Sequence, residues 1–485
     1  MSIKKLSTDF AFYGLIDVIQ RSVSIILVPF YTRFLNQNDF GQLDMFLLLL
    51  SFVGVLIDFQ FISGITRLYF EFISRDLGDR FAGTVIFFRV LIGLVLALVL
   101  SLFGFFGFLE FEFIPSFLGH KLCWILVLIF VPVSLSYDAL MMQSRILRAK
   151  VPFASGALLN SVFTTVGSVA ATMILGWGIT GIIATMLFGR LVGGLALFVG
   201  LRKNIKICID VKILASLFNY CIPLIPGWWF GFSASYIGRF FIYGGLGAEE
   251  SGLLAVSMKL QSLLGMFAIS FRSAWQPFAM SFIQDSDGDA FYVRSMRLFL
   301  AIGFFLTFVF TIFIYPIVDF FAPKPYLAVG LTFAIFSVAN IIGELESNLQ
   351  LGCQLAKKTI WISMGSFISF IIVVFILYYY TDSLGIAAVG IALLLSSLAR
   401  TIFTYLSSQY FRYIPYDLKS FLVFGFGCLF LLFNVQMNQI LDIPTLFWHS
   451  ILLLVGLFLS FIMLRSSEIK AMISVIQSIK LKFRK

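Results

Sequence analysis

The chain has few charged residues for its length. Asp, Glu, Lys and Arg make up 12% of its 485 residues, whereas a soluble protein has about 25%, and 60% of the residues are hydrophobic. So little polar surface cannot cover a soluble globule, and so apolar a composition excludes a disordered chain. We therefore expect an all-α polytopic membrane protein, in which helices satisfy every backbone polar group inside the bilayer.

Cysteine and histidine are also scarce. The chain has five Cys and two His, and no pair of them has the spacing of a metal-binding motif. An odd number of cysteines in or beside apolar runs is not typical of a disulfide framework. His120 and His449 lie near the ends of apolar runs, where a position at the membrane interface explains them. We therefore expect neither a metal site nor a bound cofactor.

Enzyme motifs are missing as well. The sequence has no glycine-rich phosphate loop, no nucleophile elbow and no paired-histidine zinc motif. A membrane enzyme of polymer assembly is expected to carry a large outer domain or loop that binds its acceptor. None of the outer loops in the topology given below is long enough for such a domain. These absences predict a protein that is not an enzyme.

Long apolar runs are what the sequence does have. A transmembrane helix needs about 20 apolar residues, and fourteen runs are long enough. The run at 251–283 is too long for one straight span, so we expect it to tilt or to extend beyond the membrane. The fourteen predicted spans lie at 10–33, 42–66, 81–108, 119–143, 152–175, 179–201, 216–242, 251–283, 296–318, 327–351, 359–380, 384–406, 418–436 and 445–464.

The positions of Lys and Arg predict the orientation. With the N-terminus in the cytoplasm, the predicted inner segments hold 24 of these residues, and the outer ones hold only Arg33, Lys121 and Lys324. Inner loops of membrane proteins carry the excess of positive charge. We therefore expect both termini in the cytoplasm, with a basic tail on the anionic inner leaflet. Because the net charge of +10 follows this topology, it does not indicate a nucleic-acid partner.

An internal repeat links the two halves of the chain. At an offset of 207 residues, Gln143 matches Gln350 and Gly178 matches Gly385, each pair at equivalent ends of predicted spans. Each repeat has six helices, which is an even number, so the two copies cross the membrane with the same orientation. This arrangement is found in alternating-access transporters. The predicted organisation is a six-helix lobe at 1–207, a second six-helix lobe at 208–412, two additional helices at 413–466 and a basic tail at 467–485.

Cations within the spans are the candidates for function. A buried Arg or Lys costs about 2.5–3.5 kcal/mol on insertion scales, so it usually faces a hydrated cavity or an anionic partner. Arg21, Arg190 and Lys259 lie too deep for easy snorkelling, and Arg272 is intermediate. Residues nearer the span ends could instead extend their side chains to the interface. These are Arg89, Arg239 and Arg400.

Acidic residues within the spans are candidates for ion pairing or for coupling to a cation. Asp17 and Arg21 are four residues apart and share a helix face, so they form either an internal ion pair or a cavity-facing pair. Glu344 and Glu346 point about 200° apart and cannot form one site. The candidates for pairing or coupling are Asp17, Asp58, Asp138 and Glu344.

Proline and tryptophan mark two further features. Pro223 and Pro226 interrupt the seventh predicted span, and Pro277 interrupts the eighth, which suits either a bending gate or a static kink. Trp228 and Trp229 lie away from the interface that Trp prefers. They either stack on sugar rings or fill space between helices.

Three segments resemble one family of transporters. They are Tyr31–Leu43 (YTRFLNQNDFGQL), Arg239–Leu253 (RFFIYGGLGAEESGL) and Ser273–Phe278 (SAWQPF). With the length and topology, they resemble the polysaccharide-biosynthesis branch of the multidrug/oligosaccharidyl-lipid/polysaccharide (MOP) exporter superfamily, the O-antigen type flippases, over essentially the whole chain. The family often has an acidic residue directly before the position of Arg239. This chain has Gly238 there, so no ion pair is carried over to Arg239.

The resemblance implies a flippase for undecaprenyl-diphosphate-linked sugar repeat units in the bacterial cytoplasmic (inner) membrane. It implies a cationic cavity for the diphosphate and glycan, with Arg21 and Arg272 on the helices that carry cavity arginines in lipid II flippases. Arg190, Lys259 and Arg239 complete the predicted substrate-binding set. The implied partners are the lipid-linked oligosaccharide, membrane lipids and the polysaccharide polymerase machinery. The membrane potential or a cation is the candidate driving force.

Two other functions remain open on the sequence. A multidrug or small-solute exporter of the same superfamily predicts twelve spans and a cavity with fewer cations. A membrane enzyme of polymer assembly needs the large outer loop that the sequence lacks.

Overall fold

The computed structural model describes most of the predicted membrane region. The described residues are 12, 16, 19–20, 22–23, 27–59, 61, 64–65, 68, 72, 77–106, 123–147, 149–206, 208–281, 288–321, 330–356, 358, 360–441 and 445–464. These residues form helices and connecting turns, with no strand among them. The all-α fold predicted from the composition is confirmed.

The described residues up to 281 form nine α-helices. Side-chain caps mark two of their starts: Asn36 accepts a hydrogen bond from the Asp39 N–H at 2.7 Å, and Asp210 accepts one from the Lys212 N–H at 2.9 Å. The helices are α1 (Val28–Phe34), α2 (Gln37–Asp58), α3 (Gly78–Phe105), α4 (Cys123–Ile146), α5 (Lys150–Met173), α6 (Gly178–Leu201), α7 (Val211–Cys221), α8 (Ile225–Leu246) and α9 (Ala248–Ser281).

From residue 288 on, the described part of the chain forms eight α-helices. They are α10 (Gly288–Ile312), α11 (Ile314–Phe321), α12 (Gly330–Leu349), α13 (Leu351–Leu355), α14 (Ile360–Leu384), α15 (Ile386–Phe411), α16 (Leu418–Leu441) and α17 (Thr445–Met463).

Most predicted spans correspond to one helix of membrane-crossing length. Within the described residues, ten helices are long and apolar enough to cross a membrane, and the bent pair α7–α8 makes up to eleven. The predicted first span is described only in part, and the end of it lies in α1. The tenth corresponds to α12, which is not one of these ten helices, and the fourteenth contains a shorter apolar helix at Leu452–Met463. The chain is therefore a multi-pass membrane protein.

The two predicted helix breaks have different outcomes. The seventh span bends by 62° between α7 and α8, where a short 3-10 turn contains Pro223. Proline removes a backbone hydrogen bond and its ring displaces the preceding turn, which accounts for a bend here. The eighth span is not broken, because α9 continues past Pro277 to Ser281.

The chain divides into two compact units. Unit 1 comprises residues 1–232 and 239–255, and unit 2 comprises residues 233–238 and 256–485. In unit 1, Phe153, Ala157 and Leu197 form a buried core between α5 and α6. In unit 2, Phe304, Phe308 and Leu431 belong to the buried core of α10, α12, α16 and α17.

The segment 239–255 belongs to unit 1 because the backbones of α2 and α9 approach each other closely there. A Cβ atom at Gly41 of α2 would collide with the Ala248 carbonyl, and one at Gly252 of α9 would collide with the Gln37 carbonyl. Small residues allow such close helix crossings in membranes. The unit boundaries therefore differ from the predicted lobes at 1–207, 208–412 and 413–466, which stay a prediction.

Candidate functional site

A polar cavity of about 760 Å³ lies within unit 1. Helices α2 to α6 and α8 contribute to its wall. Its size is in the range of small-molecule binding sites, which hold mostly apolar walls and a few convergent polar groups. Its charged and hydrogen-bonding residues are Gln20, Ser51, Asp58, Arg89, Ser134, Tyr137, Asp138, Arg145, Asn160, Thr164 and Arg190, with Phe130 and Trp228 as aromatic neighbours. We call this space the polar cavity.

One buried ion pair belongs to the cavity wall. Arg89 Nη2 of α3 lies 2.8 Å from Asp58 Oδ1 at the end of α2, and both side chains are buried. Arg89 therefore does not extend to the interface as the sequence suggested. The carboxylate of Asp58 neutralises it within the protein, which makes a buried guanidinium tolerable.

Arg190 has a different environment. It lies near the middle of α6, and its guanidinium carbon is 5.1 Å from the centre of the Phe130 ring. Within the described residues no carboxylate lies within 4 Å of it. Asp138 of α4 is exposed in the same cavity. Among the described residues that line the cavity, Arg89, Arg145 and Arg190 carry three positive charges, and Asp58 and Asp138 carry two negative ones.

Uncharged polar groups complete the cavity. Gln20 Nε2 donates a hydrogen bond to the Tyr137 hydroxyl at 3.2 Å. Asn160 Oδ1 and Ser134 Oγ are buried, and neither has a hydrogen-bond partner among the described residues. Buried polar atoms without protein partners usually bind water or a ligand. With the indole of Trp228, these groups suit a ligand rich in hydroxyls.

Arg239 is paired although the residue before it is Gly238. Its Nη1 lies 3.0 Å from Asp44 Oδ2, and the Asp44 side chain is buried. The acidic partner comes from α2, an element far away in the sequence, so the local motif could not reveal it. Arg239 does not line the polar cavity.

Unit 2 contains two separate ion pairs around α12. Arg272 of α9 lies 3.1 Å from Glu344, and Arg400 of α15 lies 2.9 Å from Glu346. The Thr404 hydroxyl donates a further hydrogen bond to Glu346 at 3.3 Å. The two glutamates point in different directions and meet different arginines, as their spacing predicts. The Arg272 side chain is 43% exposed and Glu344 is 17% exposed, so this pair is accessible.

The structure brings together four residues of the predicted site. Asp58, Asp138, Arg190 and Trp228 line the polar cavity, whereas Trp229 is exposed elsewhere on α8. Lys259 lies half-buried on α9 in unit 2, the unit that also holds Arg272 and Glu344. Asp17 and Arg21 lie outside the described residues. The predicted convergence of Arg21, Arg190, Lys259 and Arg272 on one headgroup stays a prediction.

Several residues of these sites were not among the sequence candidates. Arg145, Asn160 and Tyr137 line the polar cavity and were not named as candidates. Arg89 and Glu346 were considered as charged residues within the spans, but neither was included in the predicted binding or coupling set. The sequence did contain a signal for the ion pairs. Several predicted spans carry an arginine, and other predicted spans carry a carboxylate that can pair with it. For Asn160 and Tyr137 no sequence signal distinguishes a cavity wall from ordinary helix packing. Within the described residues, no group of three or more His, Cys, Asp or Glu is placed to hold a metal ion.

Comparison with known sequences identifies one match. The family model described as "Polysaccharide biosynthesis protein" matches residues 30–329, which is more than half of the chain. None of the curated protein sequences matches the chain significantly.

Solved structures with the same fold include several transporters of one superfamily. The lipid II flippase MurJ in an inward closed conformation has a TM-score of 0.70 at 15% identity, covering 93% of this chain and 97% of that one. A point mutant of the Vibrio cholerae MATE transporter VcmN has a TM-score of 0.55 at 13% identity, covering 83% and 98%. A MOP superfamily transporter from Pyrococcus furiosus has a TM-score of 0.54 at 12% identity, covering 83% and 95%. At these identities the likeness establishes the fold.

Proposed function

Since the chain belongs to the polysaccharide biosynthesis protein family, we propose that it is a flippase for undecaprenyl-diphosphate-linked oligosaccharide repeat units. It moves them from the inner to the outer leaflet of the bacterial cytoplasmic membrane, for a surface polysaccharide such as O-antigen or capsule. The family and the MOP fold support a transporter or flippase of lipid-linked substrates rather than an enzyme. The identity of the sugar unit and the polymerase partner belong to the proposal.

The observation that carries this proposal is the composition of the polar cavity. It combines an arginine that no described carboxylate neutralises, Arg190, with amide and hydroxyl groups and an indole ring. A diphosphate is recognised by the planar donor fork of arginine through charge-assisted hydrogen bonds. A glycan presents hydroxyl groups to the amides and a ring face to the indole. A lipid-linked sugar diphosphate contains both kinds of group in one molecule.

The accessible ion pair of unit 2 supplies a second anion-binding element. Phosphate oxygens compete with Glu344 for the half-exposed guanidinium of Arg272. In a space of reduced dielectric, this exchange replaces one charge-assisted contact of Arg272 by another, so the guanidinium keeps an anionic partner. The inside-negative membrane potential favours outward movement of an anion by about 2.3 kcal/mol per charge per 100 mV. Both termini lie in the cytoplasm in this proposal.

The test is export of surface glycan in a strain whose own copy of the gene is deleted. The wild-type chain restores surface polysaccharide, and its loss leaves lipid-linked repeat units on the inner leaflet. Restoration of drug resistance without restoration of glycan would instead support a multidrug or small-solute exporter. Normal glycan export in the deleted strain without any complementing chain would contradict the proposal.

A further inference from the structure

Of the two described carboxylates that line the polar cavity, Asp58 is buried and Asp138 is exposed. Asp138 lies within α4, about 12 Å from the inner end of the helix, and its neighbours Tyr137 and Ala139 are buried. An ionisable side chain at this depth of a membrane span is costly and usually serves a ligand, an ion or another charged group. The function proposed above assigns no part of the substrate to Asp138.

Within the described residues, no basic side chain neutralises Asp138. Its carboxylate has no cationic partner within 4 Å there. The three arginines of the same cavity have other neighbours. Arg89 pairs with Asp58 at 2.8 Å, and the guanidinium groups of Arg145 and Arg190 lie over phenylalanine rings. The Asp138 carboxylate therefore keeps its acceptor oxygens for a ligand.

A second unfilled acceptor belongs to the same cavity. Asn160 Oδ1 is buried and has no hydrogen-bond donor among the described residues. Asn160 of α5 and Tyr137 of α4 both pack on α6 at Gly193, where an added Cβ atom would lie 3.0 Å from each of them. Asn160 is therefore packed beside the turn of α4 that carries Asp138. Two acceptors without donors in one cavity favour a ligand group that has several donors and no acceptor.

The spacing along α4 sets where such a group lies relative to a phosphate. The guanidinium of Arg190 lies against the ring of Phe130, and Phe130 is about 12 Å from Asp138 along the helix. Ser134 Oγ, one turn from each of them, is buried and has no partner among the described residues. In phosphatidylethanolamine the ammonium follows the phosphate directly on a short ethyl linker, so this headgroup does not reach both sites. A sugar diphosphate does.

We propose that Asp138 and Asn160 bind a protonated amino group on one of the first sugars after the diphosphate, so that the chain selects repeat units with a free amino sugar. This inference rests on the proposed function and deepens it by naming a chemical class of glycan. An ammonium has three donors and no acceptor, which suits a carboxylate and an amide oxygen. An N-acetyl group offers one N–H and brings a carbonyl oxygen towards the carboxylate, which opposes its binding.

Charge selects an ammonium over a sugar hydroxyl at this place. In the empty cavity, water solvates the exposed carboxylate of Asp138. The glycan displaces this water when it binds. A hydroxyl then donates one hydrogen bond and leaves the negative charge uncompensated in a space of reduced dielectric. An ammonium supplies the hydrogen bonds together with the countercharge.

The experiment measures equilibrium binding to the full-length protein in vesicles of phosphatidylcholine, whose headgroup has no N–H donor. Two radiolabelled probes are compared, undecaprenyl-diphosphate-linked disaccharides made either of glucosamine or of N-acetylglucosamine. The buffer is mildly acidic, so that the amines are protonated. We expect the glucosamine probe to bind about tenfold to hundredfold more tightly, which is the effect of one charge-assisted hydrogen bond.

Substitutions assign this preference to Asp138. Asp138→Asn keeps the size of the side chain and removes its charge, so the ratio of the two affinities should fall to about one. Saturable binding of the N-acetylglucosamine probe by this variant shows that its cavity is folded. Asp138→Glu keeps the charge and should retain most of the preference. The matched control is Asp382→Asn, an exposed carboxylate near the end of α14 that does not line the cavity and should leave both affinities unchanged.

Three outcomes overturn the inference. They are equal binding of the two probes by the wild-type chain, a preference that persists in Asp138→Asn, and displacement of the glucosamine probe by sodium ions where choline at the same ionic strength has no effect. The last would mark a general cation site.

The proposed function fails separately. Export of surface glycan together with any of these three outcomes leaves the flippase standing and removes only the amino-sugar selection. A chain that fails the export test but shows the Asp138-dependent preference would have an amino-glycolipid site without that transport role. Saturable binding of neither probe would contradict both.

Discussion

The guanidinium of Arg89 lies 2.8 Å from the carboxylate of Asp58, and their side chains are only 4% and 7% exposed. The pair joins α2 to α3 at the wall of the polar cavity. It therefore removes one positive charge from the cavity, whereas Arg190 in the same cavity has no carboxylate within 4 Å among the described residues. The arrangement separates an arginine that is neutralised within the protein from one that binds the substrate in the proposed function.

Breaking the Arg89–Asp58 pair should destabilise the protein. Asp58→Ala leaves a buried, uncompensated guanidinium, which costs about 3–5 kcal/mol in comparable buried pairs. The double variant Asp58→Leu, Arg89→Met removes both charges and should recover most of the loss. Thermal unfolding of the purified protein measures both. A double variant as unstable as the single one would show that the pair does not act as a unit.

Replacing Arg190 should stop export and leave insertion intact. Arg190→Ala loses a charge-assisted hydrogen bond to phosphate worth about 1.5–3 kcal/mol, which corresponds to a tenfold to hundredfold effect. Lys should rescue partly, since it keeps the charge but lacks the bidentate fork. The exposed Arg202, just beyond the end of α6, is the matched control. Equal loss of surface glycan in Arg202→Ala would remove the special role of Arg190.

The ion pair of Arg272 and Glu344 allows a double substitution to assign the role of the arginine. Arg272→Ala should stop glycan export, and the double variant Arg272→Ala, Glu344→Ala should not restore it, because the phosphate ligand is still missing. Surface glycan and membrane abundance are measured together. Restored export in the double variant would mean that Arg272 only neutralises Glu344.

The same logic applies to Asp17 and Arg21, where the expectation rests on the sequence alone. Arg21→Ala should stop export and leave insertion intact, because removing a deep charge eases insertion by a few kcal/mol. Export recovered in Asp17→Ala, Arg21→Ala would exclude Arg21 as a phosphate ligand.

The close crossing of α2 and α9 should be intolerant of larger side chains. Gly41→Val places a side chain against the Ala248 carbonyl, and overpacking of this kind costs about 1–3 kcal/mol. Gly244→Val is the control, since its Cβ position in α8 is open. Thermal unfolding should show a lower midpoint for the first variant alone. Equal midpoints would contradict the tight contact.

The proposed orientation can be tested with reporter fusions. The charge bias predicts that fusions on predicted outer segments report outside and those on inner segments report inside. A C-terminus found outside would contradict it. The outer fusion points are Gly119, Gly247 and Lys324, and the inner ones are Arg80, Lys206 and Lys485.

The family was recognisable from the sequence because its motifs are local. The segments Tyr31–Leu43 and Arg239–Leu253 predicted the polysaccharide-flippase family, and the family match over residues 30–329 confirms it. The structure adds that parts of these two segments touch each other, through Gly41 and Gly252. That contact joins residues about 200 positions apart, so no local pattern reports it.

The sequence by itself determined the all-α membrane architecture and most of the span positions. Hydrophobic run length is a local property, and the bilayer leaves helices as the only solution for such runs. Only the tertiary structure decided which arginines are neutralised. Arg89, Arg239 and Arg400 find their carboxylates in other helices. Their partners depend on how each helix is rotated about its axis, since the side chains of successive residues in a helix point about 100° apart. That rotation is set by packing between helices and cannot be read from any one of them.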